Sequence, residues 1–151
     1  MVDAVTVRLV ATLVLVLATV ALFTGRWWLY AVLAADFVLR AAFGPSMSPL
    51  AQVSLRWLRP RLPALPQLTA GAPKRFAAMV GAVLTASAFL MGVAASTGGS
   101  AAVTVMFAIG TIMVVFPALE ALAGFCMGCF FYSRLMRVGL APPQGCLDCL
   151  G

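Results

Sequence analysis

The chain has no histidine, and only four of its 151 residues are acidic. Without an imidazole there can be no Cys–His nucleophile and no Cys2His2 zinc site. Covalent attachment of a c-type haem is excluded as well, because Phe130 and Leu150 stand where a CxxCH signature needs histidine. Charge of either sign is scarce: 9% of residues are Asp, Glu, Lys or Arg, while 64% are hydrophobic. Soluble domains carry about 25% charged residues, so this composition reads as an integral membrane protein. The ten Lys and Arg residues sit beside apolar runs rather than among aromatics on one surface. That arrangement suits the lipid bilayer as partner and argues against nucleic acid.

A helix needs about 20 apolar residues to cross the hydrocarbon core. Runs of that character predict an all-α, four-span domain over residues 1–135, with spans at about 4–23, 27–43, 76–96 and 101–127. The first run carries one early basic residue, Arg8, and no A-x-A site precedes Thr24, so it reads as an uncleaved helix rather than a signal peptide. Trp27, Trp28 and Tyr30 read as an interfacial aromatic belt at the first hairpin. Between spans two and three, Ser48 and Pro49 form an N-cap and first-turn pair. Leu50, Val53, Trp57 and Leu58 then make an apolar stripe flanked by Arg56 and Arg59. This predicts an interfacial helix over about 49–59, followed by an irregular proline-rich connection through Pro60, Pro63, Pro66 and Pro73.

Under four spans, Arg8, the loop residues Arg56, Arg59, Arg61, Lys74 and Arg75, and the pair Arg134 and Arg137 share one side; Arg26 faces the other. The positive-inside rule then puts both termini in the cytoplasm, with the chain in the plasma (inner) membrane and residues 136–151 as a cytoplasmic tail.

All four cysteines fall in two CxxC pairs, Cys126/Cys129 at the end of the last apolar run and Cys146/Cys149 in the tail. Stable disulfides are not expected on the cytoplasmic side, whereas metal binding and transient redox chemistry are. The C-x2-C-x16-C-x2-C spacing admits a four-thiolate zinc site. The same thiols admit a dithiol relay, with Cys126 and Cys129 at i and i+3 on one continuing helix face. They also admit packing, with Gly124 and Gly128 as a small-xxx-small pair. A second polar constellation is Asp36 and Arg40 in the second run and Glu120 in the fourth. It reads as an ion pair or triad joining the two helices, or as a pocket in which Arg40 holds a small anion and Glu120 carries a proton. On an ideal helix Glu120 points away from Cys126 and Cys129, so bringing them together requires a kink, for which Pro117 is placed.

The stretches "DFVLRAAFGPSMSPLA", "PKRFAAMVG" and "GFCMGCFFY" resemble a family of small bacterial multi-pass membrane proteins described as a domain of unknown function. The resemblance runs over about residues 4–135, and its sharpest element is G-F-C-x-G-C at Gly124, Phe125, Cys126, Gly128 and Cys129. Phe130 departs from the polar or charged residue that many relatives carry after the second cysteine. The resemblance implies a four-helix membrane domain, no assigned activity, and gene neighbours of the thioredoxin-like or sulfur-transfer type. The expectation that follows is a membrane-embedded thiol–disulfide or sulfur-handling protein without a cofactor, working with a cytoplasmic thioredoxin-like or rhodanese-like protein. The alternatives are a structural zinc protein and a small-anion or sulfur-compound permease, the latter needing a homo-oligomer to enclose a path.

Overall fold

A computed structural model of the chain describes residues 2–44, 47–61, 68–69 and 72–139. Cys146, Cys149, Pro63 and Pro66 lie outside these residues. The described fold is helical apart from one two-residue antiparallel pairing, β1 (Val2–Asp3) with β2 (Leu68–Thr69), in the register Val2 to Thr69 and Asp3 to Leu68. Leu68 and Thr69 are thereby tied to the N-terminus.

Three helices are long and apolar enough to cross a membrane: α1 (Ala4–Thr24), the apolar stretch Pro73–Ser96, and Ser100–Ala123. A third or less of each apolar window is buried within the protein. Side chains such as Phe23, Val83, Leu90 and Leu122 instead turn outward, as lipid requires and water would penalise. The second expected span, α2 (Trp28–Phe43), has 16 residues. At 1.5 Å per residue it reaches about 24 Å, short of a hydrocarbon core of about 30 Å. It packs along α4 (Ala72–Ser96), which also touches α5 (Ser100–Ala118) and α6 (Met127–Arg137). The α4 helix begins four residues before the expected 76, because Pro73 suits a first turn whose N–H groups have no partner. Lys74 and Arg75 are thereby in helix rather than loop.

The core runs between α1, α2, α4 and α5 through Val14, Ala18, Leu33, Ala88, Met106 and Met113. Tyr30, expected in the aromatic belt, is fully buried in it. Its neighbours Trp27 and Trp28 are partly exposed, and Trp27 stacks obliquely on Phe89 at 5.5 Å. At the opposite end of the bundle the start of α1, the end of α2, the start of α4 and the end of α5 converge.

Here Asp36 anchors α3 (Pro49–Val53). Ser48 is its N-cap, accepting from the Ala51 N–H at 3.2 Å, as the Ser-Pro pair predicts. Asp36 Oδ1 accepts from Ser48 Oγ at 2.6 Å and from the Leu50 N–H at 3.0 Å, and its Oδ2 pairs with Arg40. A buried carboxylate thus satisfies one free N–H of α3, the hydroxyl of its N-cap and the charge of Arg40 on its own helix. The expected 49–59 helix is regular only to Val53. It widens over Ser54–Leu58 and tightens to a 3-10 turn over Arg59–Arg61, because Pro60 has no N–H to extend an α ladder. Val53, Leu55 and Trp57 remain exposed.

Candidate functional site

The fourth apolar run breaks where the sequence reading continued it. Pro117 lies inside α5 and cannot donate to the preceding turn, and the chain then opens into a wide π turn over Leu119–Ala123. Gly124 closes it with φ 67° and ψ 13°, a left-handed conformation that glycine adopts without a Cβ penalty. The guanidinium of Arg8 lies over Gly124 closely enough that a Cβ there would collide with it. A cation is thereby held beside the last carbonyls of the helix.

The reversal puts Cys126 outside the helix it was expected to continue. With φ −89° and ψ 106° it is the N-cap of α6, and its Sγ accepts from the Cys129 N–H at 3.3 Å. The pair therefore straddles a helix N-terminus instead of lying along a helix face. Phe130, one residue on, is exposed and carries Arg134 over its ring at 5.3 Å. Gly128 lets α6 lie against α4, since any Cβ there would run into Ala77.

The break also settles the direction of Glu120. A cavity of about 630 Å³ opens between α1, α2, α4 and the α5–α6 junction, and its wall includes Arg40, Lys74, Arg75, Glu120 and Cys126. The Glu120 carboxylate is within hydrogen-bond reach of the Cys126 thiol, and the charges of Lys74 and Arg40 act on it. The expected triad joining the second and fourth runs does not form: Asp36 and Arg40 pair within α2, and Glu120 belongs with the thiols. Among the described residues, no three His, Cys, Asp or Glu side chains group to hold a metal ion. Two donors of the four-thiolate arrangement, Cys146 and Cys149, are outside those residues.

The two thiols are unequal. The hydrogen bond with Cys126 holds Cys129 below the ordinary thiol range, with Lys74 adding to the effect. The same hydrogen bond pushes Cys126 up, reinforced by burial and by the charge of Glu120. A depressed pKa gives thiolate at lower pH, so at neutral pH iodoacetamide should label Cys129 before Cys126. Mass spectrometry of the labelled protein against pH checks this. Cys129 labelling should rise at lower pH than Cys126 labelling, and Lys74→Gln should move the Cys129 profile upward.

Lys74, read from the sequence as a loop cation, is the site residue that the sequence reading missed, and Pro73 in a helix-starting position was the signal for it. Gly128 was read with Gly124 as a small residue that allows close helix approach, and it does lie against Ala77 of α4. The family model described as Domain of unknown function (DUF4395) matches residues 2–137. No curated protein and no solved structure matches the chain. The glycines and cysteines of G-F-C-x-G-C, which build the break, the cap and the α6–α4 contact, all fall within the matched region, and the chain belongs to the DUF4395 family.

Proposed function

We propose that the protein is a membrane-embedded thiol–disulfide exchange protein whose working pair is Cys126/Cys129. The observation that carries this is the cap geometry: a half-buried CxxC at a helix N-terminus, with one thiol held low and its partner beside a carboxylate. Helix N-termini and neighbouring cations favour thiolate, the form that attacks a disulfide. In the exchange, the Cys129 thiolate attacks a disulfide sulfur of the partner and expels one partner thiolate. Cys126 then gives its proton to Glu120 and attacks Cys129 Sγ. The second partner thiolate leaves, and the partner has gained the two electrons that the pair has lost.

The topology in this reading is four spans in the plasma membrane, with the short α2 as the second and both termini cytoplasmic. Arg8, Arg40, Lys74 and Arg75 gather at the end that carries the dithiol, and the positive-inside rule favours the cytoplasm for such an end. The partner is a soluble thioredoxin-like or rhodanese-like protein, and Cys146/Cys149 serve as a second dithiol on the tail.

The test uses full-length protein with Cys146 and Cys149 changed to serine, mixed with oxidised thioredoxin. Cys126→Ser keeps a hydroxyl at the cap and leaves Cys129 free to attack, so it should accumulate a mixed disulfide visible on a non-reducing gel. Cys129→Ser should accumulate little. If neither variant traps thioredoxin and all thiols stay reduced under mild oxidant, the proposal fails.

A further inference from the structure

Arg40 carries an N–H that the described residues leave without an acceptor. Its Nη2 is engaged by Asp36 and lies 3.5 Å from Ser48 Oγ, but its Nε is buried and has no hydrogen-bond partner among the described residues. A buried donor left unpaired is costly, and an acceptor from outside the chain would remove that cost. Arg40 stands in the wall of the 630 Å³ cavity, a size in the range that holds drug-sized ligands. Most of the remaining wall is apolar, with Phe37, Met113 and Phe116 among its members. A small inorganic anion would satisfy the Nε and leave that apolar wall without a partner. A molecule with an acceptor oxygen on a flat apolar ring satisfies both.

Two further features narrow the class. The cavity lies among helices long and apolar enough to cross a membrane, so a lipid-dissolved compound can reach it. Its wall also holds the Cys126 thiol, which gives up two electrons together with Cys129 when the pair closes. We propose that the cavity binds the head group of a membrane quinone and that the quinone oxidises the Cys126/Cys129 dithiol. This rests on the thiol-exchange reading run in its reverse direction, in which a reduced thioredoxin-like dithiol returns the Cys126/Cys129 disulfide to dithiol and the quinone takes those two electrons onward.

The step balances as follows. Cys129 enters as thiolate, its proton already in solvent. Cys126 passes its proton to Glu120 and bonds through Sγ to a ring carbon of the quinone, whose carbonyl oxygen accepts from Arg40 Nε. Cys129 attacks Cys126 Sγ, the S–S bond forms, and the S–C bond breaks with its electron pair left in the ring. The ring oxygens take one proton from Glu120 and one from solvent. Dithiol has become disulfide, and quinone has become hydroquinone.

The probe is ubiquinone-1, added without oxygen to full-length reduced protein carrying serine at 146 and 149. The expected result is one ubiquinol-1 per chain, with Cys126 and Cys129 blocked to alkylation until reductant is added. Arg40→Lys keeps a cation for Asp36 and removes Nε, and should slow quinone reduction about tenfold, as loss of one charge-assisted hydrogen bond implies. The same variant should still be captured by oxidised thioredoxin when combined with Cys126→Ser. If thioredoxin is trapped but ubiquinone-1 stays oxidised, the quinone site is wrong and the exchange reading stands. If neither partner reacts, both fall. A wild-type rate in Arg40→Lys and in the cavity-filling Met113→Trp also overturns the proposal, because the reaction would then lie outside the cavity. So does recovery of a bound anionic lipid that ubiquinone-1 cannot displace.

Discussion

Replacing Asp36 with alanine is expected to cost about 3–5 kcal/mol, the usual penalty for leaving the partner of a buried ion pair uncompensated. The carboxylate is 1% exposed and makes three contacts at once: the Arg40 guanidinium, the Ser48 hydroxyl and the Leu50 N–H. Removing it strands a cation in α2 and takes from α3 the acceptor that ties it to the bundle. A five-residue helix cannot hold itself together on propensity alone. The segment from Pro49 to Arg61 should therefore come loose, and trypsin should cut after Arg56 or Arg61, the Arg59–Pro60 bond being resistant, in folded protein under conditions where the wild type resists. Asp36→Asn keeps an acceptor oxygen while losing the charge, and should fall between the two. Thermal unfolding in detergent ranks the three proteins. An alanine variant that melts like the wild type and resists trypsin would show that α3 is held by something else. The freed Arg40 also predicts a second effect. Its guanidinium can turn toward Glu120 across the cavity, which would weaken the hold of that carboxylate on Cys126.

Asp36 shows what kind of feature the sequence made legible. The i, i+4 spacing with Arg40 and the Ser48-Pro49 start signal are local rules, and both hold in the structure as read. The membrane class was equally plain, since three helices carry it in composition and length alone. The dithiol site was not legible, for a physical reason. The stretch from Ala101 to Tyr132 carries a single charge, Glu120, and stays apolar on both sides of it, so hydropathy alone cannot see the widening after Pro117 or the reversal at Gly124. Both residues were in view, but one reads as a possible kink and the other as a small packing residue until the backbone angle is known. Without that break Glu120 points away from the thiols; with it, the carboxylate, Lys74 and Cys126 share one wall. Tyr30 shows the opposite failure. A rule for interfacial aromatics put it at the surface, and packing between α1, α2 and α5 put it in the core.

Gly128 has the most direct influence on the thiols without being one. A Cβ at this position would meet the Cα of Ala77 at 2.8 Å and its N at 3.3 Å, and helical backbone on α4 cannot give way as a side chain would. Gly128→Leu must therefore lift α6 off α4. Overpacking of this kind costs about 1–3 kcal/mol, and the lift would also part the Phe76 and Tyr132 rings, now 5.8 Å apart. The larger effect falls on chemistry. Cys126 and Cys129 sit on either side of Gly128 in the same turn, so moving α6 carries the cap away from Lys74 and Glu120. The order of reactivity should disappear, with both cysteines alkylating as ordinary thiols and the trapped thioredoxin adduct lost. Rates of iodoacetamide labelling, read beside a melting curve, separate this from general unfolding. A folded Gly128→Leu protein that still labels Cys129 first would mean the α6–α4 contact does not set thiol reactivity. Gly128→Ala paired with Ala77→Gly supplies the positive control. Exchanging the methyl group between the two helices preserves the volume at the contact, so the double variant should regain most of what Gly128→Ala loses, a coupling that a double-mutant cycle measures directly.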